Sequence, residues 1–262
     1  MTPALRTVLL SGGWTPYQLG TQLVGWWDAS YGVAESGGLV SAWADRIGGY
    51  TAAQATGTAK PAWSATSLNG TPGLTFDGSD DLLAMVGVPA IFPDGAEAGW
   101  IFGLADQQAA APDANSRDII GYGATNAGRM VSKIDDSGTN RAAVRAGTGA
   151  AVAQRFDTTI AFNGVGTLFG QFEAAQIGGR IDGVAFGPGA AVIPATATTR
   201  LRIGAAPNTT AGAFWQGVIG HGMVGTGVLS PTDVQRLEAW ALWLCGKQAL
   251  LPADNPYRYR RP

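Results

Sequence analysis

The sequence predicts an all-β chain, a two-sheet antiparallel sandwich with one short helix near its C-terminus. Three observations predict it. Apolar residues alternate with small or polar ones at a period of two, as at Trp100, Phe102 and Leu104, which puts those three on one strand face. Turn pairs such as Asn69-Gly70, Asp77-Gly78 and Asp182-Gly183 punctuate the runs, and tight hairpins need residues that tolerate positive φ. Composition agrees: 39 glycines beside only 14% charged residues suit short strands and close turns, and 46% hydrophobic content excludes a disordered chain.

At 262 residues the chain fits a single large sandwich. Residues 1–20 show no period, carry Gly12-Gly13 and two prolines, and read as an arm that packs on its own domain or docks on a neighbouring subunit. The first strand covers Leu23 to Ala29, where one of the adjacent Trp26 and Trp27 should be buried. From Gly99 onward the chain reads as successive antiparallel strands. Loops 107–116 and 135–140 would then share one end of the sandwich, with 123–128 at the other. Arg180 to Val184 reads as a hairpin around Asp182-Gly183. The helix has its own signals: Ser230 as N-cap, Pro231 in the first turn and Asp233 at the positive end. Val234, Leu237, Ala241 and Leu244 share one face, and Gly246 stops it. The domain spans 21–257, and residues 258–262 form a solvated basic tail.

Spaced motifs add a resemblance. Trp43, Asp45 and Gly48 lead to Asn69, Gly70 and Pro72, then to Phe76, Asp77 and Gly78 with the pair Asp80 and Asp81. A second block runs from Ile203-Gly204 through Phe214 to Ile219 and on to Leu229-Ser230. The chain ends in Leu251-Pro252 and Asn255-Pro256-Tyr257. In this order the motifs resemble the laminin-G-like, or concanavalin A-like, jelly-roll domains of phage and bacterial surface proteins. Asn255 stands where that family has His, His221 where it has Glu, and Trp243-Leu244-Cys245 where it often has His-Lys-Trp. The resemblance implies a jelly-roll sandwich and a glycan-binding or calcium-binding rim.

The chemistry is then weighed residue by residue. Glycoside hydrolysis needs two carboxylates about 5–5.5 Å or about 6.5–9.5 Å apart. Glu35, Glu97, Glu173 and Glu238 lack the one-strand spacing that related glucanases use, so no catalytic residue is assigned and a non-enzymatic protein is expected. His221, the single histidine, has no Gly-x-Ser-x-Gly elbow to serve and reads as structural. Cys245, the single cysteine, permits no intrachain disulfide and reads as a small buried hydrophobe. Asp77, Asp80 and Asp81 offer hard oxygen ligands for calcium, with turn and backbone hydrogen bonding as the preferred alternative. Tyr122, Asn126, Arg129, Asn208 and Trp215 border polar loops and are the candidates for stacking on and hydrogen bonding to a sugar.

A net charge of −2 argues against nucleic acid, and no run approaches the roughly 20 apolar residues that span a bilayer. No signal-peptide pattern precedes the domain. With the resemblance, these features lead to an expected non-enzymatic structural and glycan-recognition component of a phage or phage-like particle. It would be a head spike, fibre or baseplate-associated protein, made in the bacterial cytoplasm and located in the virion. Its partners would be host surface polysaccharide and, through the arm, other virion subunits. A virion decoration protein without ligand is the alternative, and a polysaccharide depolymerase the third.

Overall fold

The structure is a computed structural model, and it describes residues 13–88, 97–108, 117–124, 127–135, 140–146, 154–162, 164–190, 198–207 and 212–262. The strands run in chain order as β1 (Leu23–Asp28), β2 (Val33–Ser36), β3 (Leu39–Ala44), β4 (Thr51–Ala53), β5 (Ala62–Leu68) and β6 (Thr71–Asp77). They continue as β7 (Leu83–Val86), β8 (Gly99–Gln107), β9 (Arg117–Ala124), β10 (Ala127–Asp135), β11 (Asn140–Ala146) and β12 (Gln154–Ala161). The last are β13 (Gly164–Glu173), β14 (Gln176–Ile181), β15 (Val184–Ala190), β16 (Arg200–Ile203) and β17 (Gln216–Thr226), followed by helix α1 (Pro231–Leu244).

Pairing traces two antiparallel sheets, as expected for an all-β sandwich. One runs β15–β14–β13–β8–β17, and the far side of β17 takes β6 along Gln216–Ile219 and β1 along His221–Gly225. The other runs β12–β11–β10–β9–β16–β7–β4–β3–β2. Strand β5 pairs with β6 and meets β3 at Leu39–Ala62, so it joins the sheets along one edge. The expected run of successive strands holds for β9 to β12. It fails one step earlier: β8 and β9 belong to opposite sheets, so the chain changes layer between them.

Turn chemistry is realised where it was legible. Asn69 and Gly70 have φ of 48° and 87°, and Asp182 and Gly183 have φ of 47° and 88°, so each pair closes a two-residue hairpin. The inner core lies between the sheets and includes Trp27, Trp43, Phe76, Tyr122 and Trp215. A second apolar layer lies outside the β8–β17 sheet, where α1 covers Trp26, Trp100, Phe102, Phe169 and Met223 with Val234, Leu237 and Ala241. Burial on both faces of β8 explains why its alternation alone could not tell inside from outside.

Helix α1 starts as its sequence dictates. Ser230 Oγ accepts from the Asp233 N–H at 3.1 Å and donates to its carboxylate at 2.7 Å. Ser230→Ala is expected to cost about 1 kcal/mol in urea unfolding, with Ser230→Asp recovering most of it. Gly246, at φ 68°, ends the helix region. Leu244 departs from the expected buried face and is 39% exposed.

Both ends of the described chain pack on the domain. Trp14 and Leu19 join the apolar layer under α1. The Trp14 N–H donates to the Pro262 carbonyl at 3.0 Å. In the tail, Tyr259, Arg260 and Arg261 are exposed, while Arg258 donates to the Leu251 carbonyl and the Arg261 guanidinium lies 5.6 Å from the Trp243 ring centre. Residues 1–12, the remainder of the supposed docking arm, lie outside the described residues.

Candidate functional site

Strand β1 positions the site. Its alternation sends Trp27 into the inner core, wholly buried, and leaves Trp26 and Asp28 on the outer face. Asp28 pairs in register with His221 of β17, so a carboxylate and the single imidazole share that face. Asp28 is held from all sides. Arg46 Nε donates to it at 2.7 Å, the Ser30 N–H and hydroxyl donate at 2.8 and 2.7 Å, and its carbonyl accepts Trp43 Nε1 at 3.0 Å.

Burial works to raise the Asp28 carboxyl, but His221, Arg46 and the Ser30 donors outweigh it and hold it below the usual carboxylate range. For His221, burial is the largest influence and lowers its proton affinity, with Arg46 adding to this and the Asp28 carboxylate opposing. Trp26 Nε1 donates to His221 Nδ1 at 3.3 Å, the same nitrogen lies 3.8 Å from Asp28 Oδ1, and with Nδ1 as the acceptor the neutral ring carries its proton on Nε2. Arg46 lies 5.3 Å from the Trp26 ring centre and 4.5 Å from that of Tyr31, which clamps its guanidinium in place.

Around this centre opens a pocket of about 700 Å³. Trp26 meets Trp240 at 5.5 Å between centroids, nearly perpendicular, and Tyr17 at 5.1 Å, edge to face. Trp14, Trp243 and Leu244 complete the apolar walls, and the Asn69–Pro72 turn forms one rim, fixed by Asn69 Nδ2 donating to the Cys245 carbonyl at 2.5 Å. Asp28 is the carboxylate in the lining. Cys245 also lines it, but burial pushes its thiol up to about 11, so it behaves as the expected apolar residue.

Sequence reasoning missed this pocket. It assigned His221 to structure and residues 1–20 to an arm. The available signal was Trp26-Trp27-Asp28: two tryptophans adjacent on a strand must face opposite ways, and the one beside Asp28's face needs a cover or a ligand.

The residues predicted to bind glycan sit elsewhere. Tyr122 and Trp215 are wholly buried between the sheets, and Arg129, 2% exposed, donates to the Tyr122 hydroxyl at 2.9 Å and to the Glu97 carbonyl at 2.5 Å. The loop-border argument fails for them because their side chains point into the sandwich. Asn126 and Asn208 lie outside the described residues.

The candidate calcium ligands do come together: carboxylate oxygens of Asp77, Asp80 and Asp81 lie within 4.8 Å of one another. Their first task is the turn. Asp77 Oδ1 accepts the Ser79 and Asp80 N–H groups, and Asp81 Oδ2 accepts the Asp77 N–H at 2.9 Å. Burial, together with Asp77 and Asp80, pushes the Asp81 carboxyl up to about 6. Calcium takes six to eight oxygens, so three carboxylates, two of them (Asp77 and Asp81) already engaged with the backbone, are a poor fit.

An all-β sandwich of jelly-roll type with an aromatic pocket on its outer face is the class that fold and site define. No family model and no curated protein matches the sequence. Solved structures do match in fold. A Trypanosoma rangeli sialidase in complex with sialic acid is similar over 86% of this chain and 33% of its own, with a TM-score of 0.55 and 14% identity. An arabinofuranosidase complexed with arabinofuranosyl-alpha-1,2-xylobiose is similar over 75% of this chain and 49% of its own, again with a TM-score of 0.55 and 14% identity. The chain therefore spans about a third to a half of these structures, and at such identity the likeness is one of fold. It corrects one expectation: solved chains sharing this fold are glycosidases by name, so the non-enzymatic assignment does not stand.

Proposed function

We propose that this chain is a glycan-recognition domain and that the pocket between β1, α1 and the 13–20 segment is its saccharide site. The observation that carries it is the pocket's make-up: tryptophan and tyrosine walls for the apolar faces of sugar rings, with Asp28, Arg46 and His221 fixed among them. The saccharides named with the solved neighbours, sialic acid and an arabinofuranosyl-xylobiose, support a carbohydrate ligand. The sequence resemblance extends the proposal to a phage-type particle, where the domain would meet host surface polysaccharide and residues 1–12 would be left for docking to other virion subunits.

The test is a glycan array with the full chain, followed by titration of each ligand found and measurement of reducing-end release in the same samples. A chain shortened by residues 1–20 would not serve, since Trp14 and Tyr17 line the pocket. Tyr17, 54% exposed, gives the clean variant: Tyr17→Ala should weaken binding by about tenfold with little change in stability. Saturable binding indifferent to Tyr17→Ala and Leu244→Glu would move the site elsewhere. Reducing ends released by the wild type but not by Asp28→Asn would make the pocket hydrolytic.

A further inference from the structure

Resting on the saccharide reading of this pocket, we infer that its ligand is an anionic sugar, one bearing a carboxylate. The argument is the inventory of polar atoms left without a partner. Trp26 holds His221 with Nε2 as the protonated nitrogen, and that atom has no partner among the described residues although His221 is only 8% exposed. Among the described residues the indole N–H groups of Trp14 and Trp240 also make no hydrogen bond, and they are not among the fully buried orphans, as those of Trp27, Trp100 and Trp215 are. Both of those residues line the pocket, at 6% and 8% exposure. All three of these buried groups are donors.

Charge points the same way. The Asp28 carboxylate is matched by Arg46, which spends Nε on it and Nη2 on the Ser30 hydroxyl, leaving Nη1 uncommitted. Arg261 rests against Trp243 at the rim, with no acidic partner among the described residues. Two guanidinium groups and several N–H groups in a largely apolar enclosure are therefore on hand for an acceptor. Every hydroxyl of a neutral sugar also brings a donor that needs an acceptor of its own. A carboxylate is acceptor-only, and in a partly desolvated site guanidinium and N–H groups bind it with shorter, stronger bonds.

The experiment titrates the full chain with tetramers of galacturonate, their methyl esters and neutral cello-oligosaccharides, at low and high salt. Methyl esterification removes the charge and leaves the ring. The expected result is a loss of about tenfold or more on esterification, and a further loss for the acid at high salt. Arg261→Gln should weaken the acid several-fold and leave the ester unchanged, while Arg261→Lys keeps part of the effect. His221→Gln, which also presents a donor, separates hydrogen bonding from ring shape. Equal binding of acid and ester, or preference for the neutral sugars, would overturn the anionic assignment while leaving the saccharide site intact. Failure of every saccharide here and on the array would overturn both.

Discussion

Replacing Arg180 by leucine is expected to destabilise the protein by about 3–5 kcal/mol near pH 8, and by clearly less near pH 5. Arg180 Nε donates to both oxygens of Glu238 at 3.1 and 3.0 Å, and its Nη2 donates to the Gly183 carbonyl at 2.5 Å. Glu238 is wholly buried on the inward face of α1 and also accepts the Gly183 N–H at 3.2 Å. Without the arginine, an ionised carboxylate would be left inside with one backbone donor. Burial already pushes Glu238 from 4.5 up to about 7, against the pull of Arg180, and pushes the neighbouring Asp182 from 3.8 up to about 6.

Both folded values lie above the unfolded ones. Each group therefore adds stability that is complete below its unfolded value and is lost as pH rises through its folded value. For Glu238 the window runs from 4.5 to about 7, and the loss across it is about 3 kcal/mol by linkage. His221 is shifted the other way, so its contribution is complete above 6.5 and lost as pH falls, which masks the slope in the wild type. The difference between wild type and Glu238→Gln cancels His221 and isolates the carboxyl. Urea unfolding of wild type, Arg180→Leu and Glu238→Gln at about pH 5 and about pH 8 provides the measurement. An Arg180→Leu penalty equal at both values would show that Glu238 does not change its protonation state between them.

The second large effect is at Trp27. It is 0% exposed between the sheets, so Trp27→Ala should cost about 3–5 kcal/mol through lost burial and the cavity left behind. Its indole N–H has no partner, so Trp27→Phe removes volume without orphaning an acceptor and should cost much less. Trp27 does not line the pocket, and saccharide affinity measured on the folded Trp27→Phe protein should match the wild type. Trp26→Phe, one residue away, keeps an aromatic wall but deletes the donor to His221 Nδ1, and should change affinity more than stability. If Trp27→Phe altered binding as much as Trp26→Phe, the assignment of the two faces of β1 would be wrong.

Much of the fold was legible because its causes are local. Asn69-Gly70 and Asp182-Gly183 close hairpins because few residues accept positive φ at both turn positions. Ser230, Pro231 and Asp233 start a helix wherever they stand before an amphipathic run. The site was not legible, because it joins residues distant in sequence. His221 meets Trp26 across 195 positions, and the Asn69 turn meets Cys245 across 176. Tyr122 and Trp215 misled for the converse reason: nearness to a polar loop says nothing about which sheet face a side chain takes.

The sequence by itself determined the all-β class, the turns, the helix and its cap, since each depends on backbone preference or on a period of a few residues. Only the tertiary structure decided which face of β1 and β8 is inside, that α1 covers the outer face of one sheet, and that residues 13–20 and the C-terminal tail close around Trp26, Asp28 and His221. Those outcomes follow from strand pairing and from competition among apolar surfaces for burial. Both are properties of the whole chain, and no window of the sequence contains them.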